Sequence, residues 1–220
     1  MMDIARLGLP MGFAWTLDVG SFAAFTAILA ACGNAHLAAH VLVMRIVSVS
    51  FLPGHAIGQA AGVLAGQAVG AGRPDAAAQS IYAALRVATG VMVAFGVLFW
   101  LAPGLVLAPF GVQPDVFALA STLLLVAAGF QVFDAIAMVL FQGISGAGDT
   151  RFVTVTMTLA AWMVKLPIGY ALAIGGGLGA VGAWLGITVE ISVVAVVLAA
   201  RLRSGRWLHA CKPKAALASS

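Results

Sequence analysis

The chain has 220 residues, of which 63% are hydrophobic and only 8% are charged. Because an average soluble domain carries about 25% charged residues, this composition excludes an ordinary soluble domain and predicts an all-α membrane protein. The formal net charge of +4 would suit a nucleic-acid partner, but the placement of the basic residues is typical of a membrane protein.

Six apolar segments are long enough to cross a bilayer, which requires about 20 mostly apolar residues. In chain order, the predicted spans cover residues 7–32, 41–69, 76–101, 116–142, 152–174 and 178–200. Glycine- and proline-rich breaks separate them, and residues 143–149 are expected to form a short loop. The sequence therefore predicts one six-span lobe over residues 1–210, with a basic cytoplasmic tail over 201–220 and no second domain.

Lysine and arginine cluster on one side of this arrangement. The first, third and fifth loops contain neither residue, whereas the termini and the second and fourth loops contain Arg6, Arg73, Arg151, Arg201, Arg203, Arg206, Lys212 and Lys214. Cytoplasmic loops carry such an excess. We therefore expect a multi-pass protein of the inner (plasma) membrane with both termini in the cytoplasm, and no nucleic-acid partner. Arg86 can extend toward the same side.

Asp18 and Asp134 each lie deep inside a predicted span, the first and the fourth. An aspartate at the centre of a span costs roughly 3 kcal/mol, so such residues usually face a bundle interior or a wet cavity. At about 1.5 Å per residue the two lie at matching depths. Two carboxylates in one poorly solvated cavity favour a proton, a metal cation or a cationic substrate, and competition among these ligands gives antiport.

Three more ionisable residues lie within spans: Arg45, Lys165 and Glu190. Lys165 and Glu190 are expected to form an accessory charge pair, since pairing avoids an isolated buried charge. A direct role of Glu190 in ion handling stays open. Arg45 is expected to pack or to extend to the membrane surface.

Four glycines spaced by four residues follow one face of the second span: Gly58, Gly62, Gly66 and Gly70. Small residues at this spacing let two helix backbones approach closely. We interpret this face as a helix-packing surface.

The sequence lacks the motifs of the common nucleotide-binding and hydrolytic enzymes. His40 and His55 are too far apart along the second span to form a metal pair on neighbouring turns and are expected to form interhelical hydrogen bonds. We therefore expect no enzyme activity, no cofactor and no metal beyond a sodium ion at Asp18 and Asp134.

A series of short motifs resembles the C-terminal six-helix lobe of the MATE (multidrug and toxic compound extrusion) transporters, NorM-like members in particular. The matching runs, in order, are Gly8-Leu9-Pro10, Asp18, Leu37-Ala38-Ala39-His40, Phe51-Leu52-Pro53-Gly54, Gly66-Gln67-Ala68-Val69-Gly70, Phe130-Gln131-Val132-Phe133-Asp134 and Gly143-Ile144-Ser145-Gly146-Ala147-Gly148-Asp149-Thr150-Arg151. The resemblance rests on the order and spacing of these runs across five spans.

The resemblance implies a twelve-helix transporter built from two six-helix lobes, of which this chain is one. It implies that Asp18 and Asp134 bind the coupling ion, H⁺ or Na⁺, and that small, often cationic, organic compounds are exported. A second lobe or a homodimer partner is then expected, and this chain alone is not expected to export drugs. An isolated lobe should carry both carboxylates toward an open groove.

Two alternatives stay open. A lipid or lipid-linked sugar flippase of the same superfamily would need a basic cleft, for which only Arg45 and Lys165 are available. A truncated, non-transporting membrane scaffold would retain the carboxylates without using them.

Overall fold

The computed structural model describes the backbone of residues 2–210 and the side chains of residues 16–208. The side chains of Arg6 and of the Gly8-Leu9-Pro10 run therefore lie outside the described residues. The same holds for residues 211–220, the second half of the predicted basic tail, which include Lys212 and Lys214. The described backbone contains helices and turns but no strand. The predicted all-α fold is confirmed.

Most of the described chain lies in long helices. The first four are α1 (Met2–Ala31), α2 (Asn34–Gly70), α3 (Pro74–Leu101) and the short α4 (Pro103–Leu107), followed by a 3₁₀ turn (Ala108–Phe110) and α5 (Pro114–Gly146). The next helix, Thr150–Gly175, consists of α6 (Thr150–Ala160), a π-helical turn (Ala161–Lys165), α7 (Leu166–Tyr170) and a second π-helical turn (Ala171–Gly175). The chain continues through α8 (Gly179–Arg203) and ends its described part with α9 (Trp207–Ala210).

Five of these helices are long and apolar enough to cross a membrane: α2, α3, α5, the Thr150–Gly175 helix and α8. The part of α1 whose side chains are described, Thr16–Ala31, is apolar but shorter than a span. The helices extend beyond the apolar segments, since α2 begins at Asn34 rather than at residue 41, and α5 continues to Gly146. The expected loop over residues 143–149 is therefore wrong in extent, because only a tight turn separates α5 from α6.

Proline and glycine define the helix ends. Proline is the first residue of α3, α4 and α5, where its missing N–H is one of those that a helix start leaves unpaired in any case. Gly33, with φ of 114°, and Gly148, with φ of 116°, form the turns after α1 and α5. Residues that carry a side chain rarely adopt this left-handed backbone conformation.

Contacts divide the chain into two compact units. Unit 1 contains Met1–Ile46, Phe99–Ala127 and Thr154–Glu190, and unit 2 contains Val47–Leu98, Ala128–Val153 and Ile191–Ser220. In unit 1 the large buried side chains include Phe25, Leu29 and Trp184, and in unit 2 they include Met92 and Leu140. Each unit thus has its own apolar core.

The regularly spaced glycines of α2 pack against α5 within unit 2. A Cβ atom on Gly62 would lie 2.7 Å from the backbone oxygen of Gln142, and one on Gly66 would lie 2.6 Å from that of Gly146. Gly58 makes a looser contact with the same helix. A Cβ atom on Gly70, where α2 ends, would meet no described atom outside its own helix within 4 Å, so the contact with α5 seen at the other three glycines does not extend to it.

Candidate functional site

A buried charge cluster lies in unit 1, and we call Lys165, Glu190 and Ser21 the Lys165 cluster. The Nζ atom of Lys165 lies 3.6 Å from Oε1 of Glu190 and donates a hydrogen bond of 3.3 Å to Oγ of Ser21. All three residues are buried. The ammonium group also lies 5.0 Å from the centre of the Phe22 ring, a favourable cation–π distance.

Close packing of α8 against the Thr150–Gly175 helix places Glu190 beside Lys165. A Cβ atom on Gly186 would lie 2.7 Å from the backbone nitrogen of Gly169 and 2.9 Å from the backbone oxygen of Lys165. Only glycine permits this approach. Residues four apart share a helix face, so Glu190 follows Gly186 by one turn on the side that meets Lys165.

The π-helical turn at Ala161–Lys165 precedes a proline inside the helix. Pro167 has no N–H for the carbonyl one turn earlier, which favours local widening of the helix. Such π turns occur frequently at functional sites. Here the turn carries Lys165 at its end.

Two contacts hold α1 against this turn. The indole Nε1 of Trp162 donates a hydrogen bond of 3.1 Å to the backbone oxygen of Leu17, and Lys165 donates to Ser21 as described. The Ser21 hydroxyl in turn donates to the backbone oxygen of Asp18 at 2.8 Å. The residue before Asp18 and the residue three positions after it are therefore both tied to the helix that carries Lys165.

The Asp18 side chain itself is exposed in unit 1. It acts electrostatically on Glu190 but forms no ion pair among the described residues. Arg45 is also exposed. Beside the Lys165 cluster, one buried ammonium group thus accompanies the buried carboxylate of Glu190 and the exposed carboxylate of Asp18.

Asp134 lies on α5 in unit 2 and is buried. Its Oδ2 atom has no hydrogen-bond partner among the described residues, and neither does Oε1 of Gln131, which precedes it by three residues. The amide nitrogen of Gln131 donates 3.1 Å to Oγ of Ser50, which leaves its oxygen as the free end. Two buried acceptor oxygens on one turn of α5 thus lack a donor.

The burial of Asp134 does not fit the expectation that an isolated lobe carries both carboxylates toward an open groove. Asp18 and Asp134 belong to different units, so their shared cavity stays a prediction. Sequence reasoning did not single out Ser21 and Gln131 as site residues. Each lies three positions from an aspartate, a spacing that places it on the same helix face.

His40 and His55, which both lie on α2, form hydrogen bonds. Nδ1 of His40 accepts a bond of 3.2 Å from Nε1 of Trp184 in unit 1, and Nε2 of His55 accepts one of 3.0 Å from the amide of Gln142 in unit 2. Within residues 16–208, no group of three His, Cys, Asp or Glu side chains could hold a metal ion.

A sequence profile described as MatE matches residues 10–171. The chain belongs to the MatE family. This membership confirms the resemblance drawn from the motifs and identifies a multi-pass membrane protein.

The curated relatives include a probable multidrug resistance protein NorM of Brucella suis biovar 1 (strain 1330), 33% identical over 208 residues, which cover 92% of this chain and 44% of that protein. The multidrug resistance protein NorM of Burkholderia vietnamiensis is 33% identical over 206 residues, 91% of this chain and 45% of that protein.

Solved MATE structures share the fold of this MatE chain. An outward-facing multidrug resistance MATE transporter matches 92% of the chain with a TM-score of 0.83 at 18% identity, and an inward-facing one matches 97% with a TM-score of 0.80 at 19% identity. They are covered over 45% and 49% of their own length. The chain therefore spans less than half the length of the relatives it matches. The relatives' names agree with the expectation that the chain is not an enzyme.

Proposed function

We propose that this chain forms one lobe of a cation-coupled antiporter that exports drugs or other toxic organic compounds. Asp134 and Asp18 bind the coupling ion, H⁺ or Na⁺. Family membership and the names of the NorM relatives support the class of activity. The proposed ion binding rests on the polar groups at Asp134 and around Lys165.

The observation that carries the proposal is the unpaired Oδ2 of Asp134. An ionised carboxylate without a partner is very unfavourable in an apolar interior, and buried polar atoms almost always find one. Asp134 therefore requires a proton or a cation at Oδ2. The free Oε1 of Gln131 adds an oxygen ligand of the kind that hard cations prefer.

The charge balance around the Lys165 cluster supports a second cation-binding element. Asp18 and Glu190 carry two negative charges when ionised, and Lys165 supplies one positive charge. One net negative charge remains and attracts a monovalent cation. Because Asp18 is exposed while Glu190 is paired, Asp18 is the carboxylate that a cation or a cationic substrate reaches.

Exchange follows if the coupling ion and the organic substrate stabilise different conformations of the transporter. A ligand shifts a conformational equilibrium only by its difference in affinity for the two states. An ion and a cationic drug that compete for one carboxylate would supply that difference. The second lobe would come from the same polypeptide or from another copy of the chain.

Competition between ethidium and the coupling ion tests this function. Ethidium fluorescence would be titrated against the purified chain in lipid nanodiscs, at increasing Na⁺ concentration and, separately, at decreasing pH. We expect ethidium affinity to fall with at least one of the two ions. The double variant Asp18→Asn/Asp134→Asn should remove this dependence, whereas Asp115→Asn, at an exposed carboxylate at the start of α5, should retain it. Ion dependence that persists in the double variant would refute the role of the two aspartates.

A further inference from the structure

Unit 2 contains a groove that the proposed transport mechanism does not use. It has a volume of about 450 Å³ and lies between α3, α5 and α8. Its polar lining includes Tyr82, Arg86 and Arg203, and its apolar lining includes Ile136, Leu140 and Ala199. The lining therefore combines two basic side chains with apolar side chains suited to a hydrocarbon chain.

Neither arginine is neutralised by a residue within 16–208. Arg86 and Arg203 are exposed, and no described residue forms an ion pair with either guanidinium group. Arg203 is the last residue of α8, whereas Arg86 lies about 18 Å along α3 from Pro74 by helical rise. An arginine at that depth inside a candidate span needs a polar partner or must extend to the membrane surface.

We propose that this groove binds an anionic phospholipid. The phosphate group lies between Arg86 and Arg203, where guanidinium groups can form paired hydrogen bonds with phosphate oxygens. Tyr82 also lines the groove, and an acyl chain packs along Ile136 and Leu140. Basic pockets between membrane helices are suited to such headgroups, and the volume suffices for a headgroup with the first part of a chain.

Both ends of the ligand are needed for binding. The two arginines select for negative charge, and the apolar wall selects for a lipid over a soluble phosphate. Phosphatidylglycerol should therefore bind better than phosphatidylcholine, which carries no net charge. Glycerol phosphate, which offers the anion without the chains, should not compete at equal concentration.

Native mass spectrometry of the purified chain would measure retained lipid after incubation with phosphatidylglycerol or phosphatidylcholine. We expect phosphatidylglycerol to be retained about tenfold better. The double variant Arg86→Gln/Arg203→Gln should lose about tenfold in phosphatidylglycerol retention. The control Arg73→Gln/Arg206→Gln removes the same charge from exposed positions outside the groove and should retain the lipid.

A second variant tests the groove without altering its charge. Ala199→Phe narrows the apolar wall and should reduce phosphatidylglycerol retention several-fold while both arginines remain. Equal loss in the two charge-removal variants would indicate a general surface attraction and overturn the site. Equal retention of both lipids by the unmodified chain, displacement by glycerol phosphate, or full retention in Ala199→Phe would overturn it as well.

Discussion

Lys165 and Glu190 form a buried ion pair in unit 1, with Nζ and Oε1 separated by 3.6 Å. The separation exceeds that of a close charge-assisted hydrogen bond, which is about 2.8 Å. Lys165 divides its donors between Glu190, the Ser21 hydroxyl and the face of Phe22. The pair is therefore one contact in a polar network, and Lys165 is not confined to a single partner.

Breaking this pair from one side should destabilise the protein more than removing both charges. Glu190→Gln leaves the Lys165 ammonium buried beside a neutral group, and removal of one partner of a buried pair costs roughly 3–5 kcal/mol. The double variant Glu190→Gln/Lys165→Met should recover most of this loss. Unfolding of the three proteins by sodium dodecyl sulfate, followed by circular dichroism, would measure the difference. A double variant less stable than Glu190→Gln would contradict the pairing.

The glycine face of α2 predicts a position-dependent response to alanine. Gly62→Ala should lower the free energy of unfolding by about 1–3 kcal/mol, because its Cβ would overlap the Gln142 backbone oxygen. Gly70→Ala is the matched control, since nothing lies within 4 Å of that position. Equal melting temperatures for the two variants would show that α2 and α5 do not approach as described.

Asp149 and Arg201 form a second ion pair, in unit 2. Oδ2 of Asp149 accepts from both Nη2 of Arg201, at 2.8 Å, and Nε, at 2.9 Å, while the guanidinium lies 4.4 Å from the Phe152 ring centre. Arg201→Lys should lower stability by about 1–2 kcal/mol, because lysine lacks the planar fork and stacks less well. Arg206→Lys, at an exposed site, should leave the melting temperature unchanged. A loss in Arg206→Lys as large as in Arg201→Lys would argue against this geometry.

The hydropathy of the sequence predicted where the long helices lie but not where they begin and end. An apolar run reports the part of a helix that contacts lipid or core, whereas α2 and α5 continue into less apolar sequence at Asn34 and Gly146. The carboxylates were evident from their isolation in apolar sequence. The contacts of the buried Lys165 were harder to predict from the sequence. Its hydrogen bond with Ser21 depends on the π-helical turn. Its contact with Glu190 depends on the close approach of the two helices at Gly186.

The positive-inside pattern predicts that the loop before α2 is outside the cell and the residues after α8 are inside. In a background with Cys32 and Cys211 replaced by serine, Asn34→Cys should react with an impermeant maleimide in intact cells. Ser204→Cys should react only after lysis. The reverse pattern would invert the proposed orientation.

The central claim is that the buried Oδ2 of Asp134 holds an exchangeable proton or cation. Infrared difference spectroscopy of the chain in nanodiscs detects the carbonyl stretching band of a protonated carboxyl group directly. We expect a rise in pH or addition of Na⁺ to change this band in the unmodified chain and in Asp115→Asn. The change should be smaller in Asp134→Asn, which leaves only the contribution of Asp18. A band that responds equally in Asp134→Asn, or no response in the unmodified chain to either ion, would contradict the account.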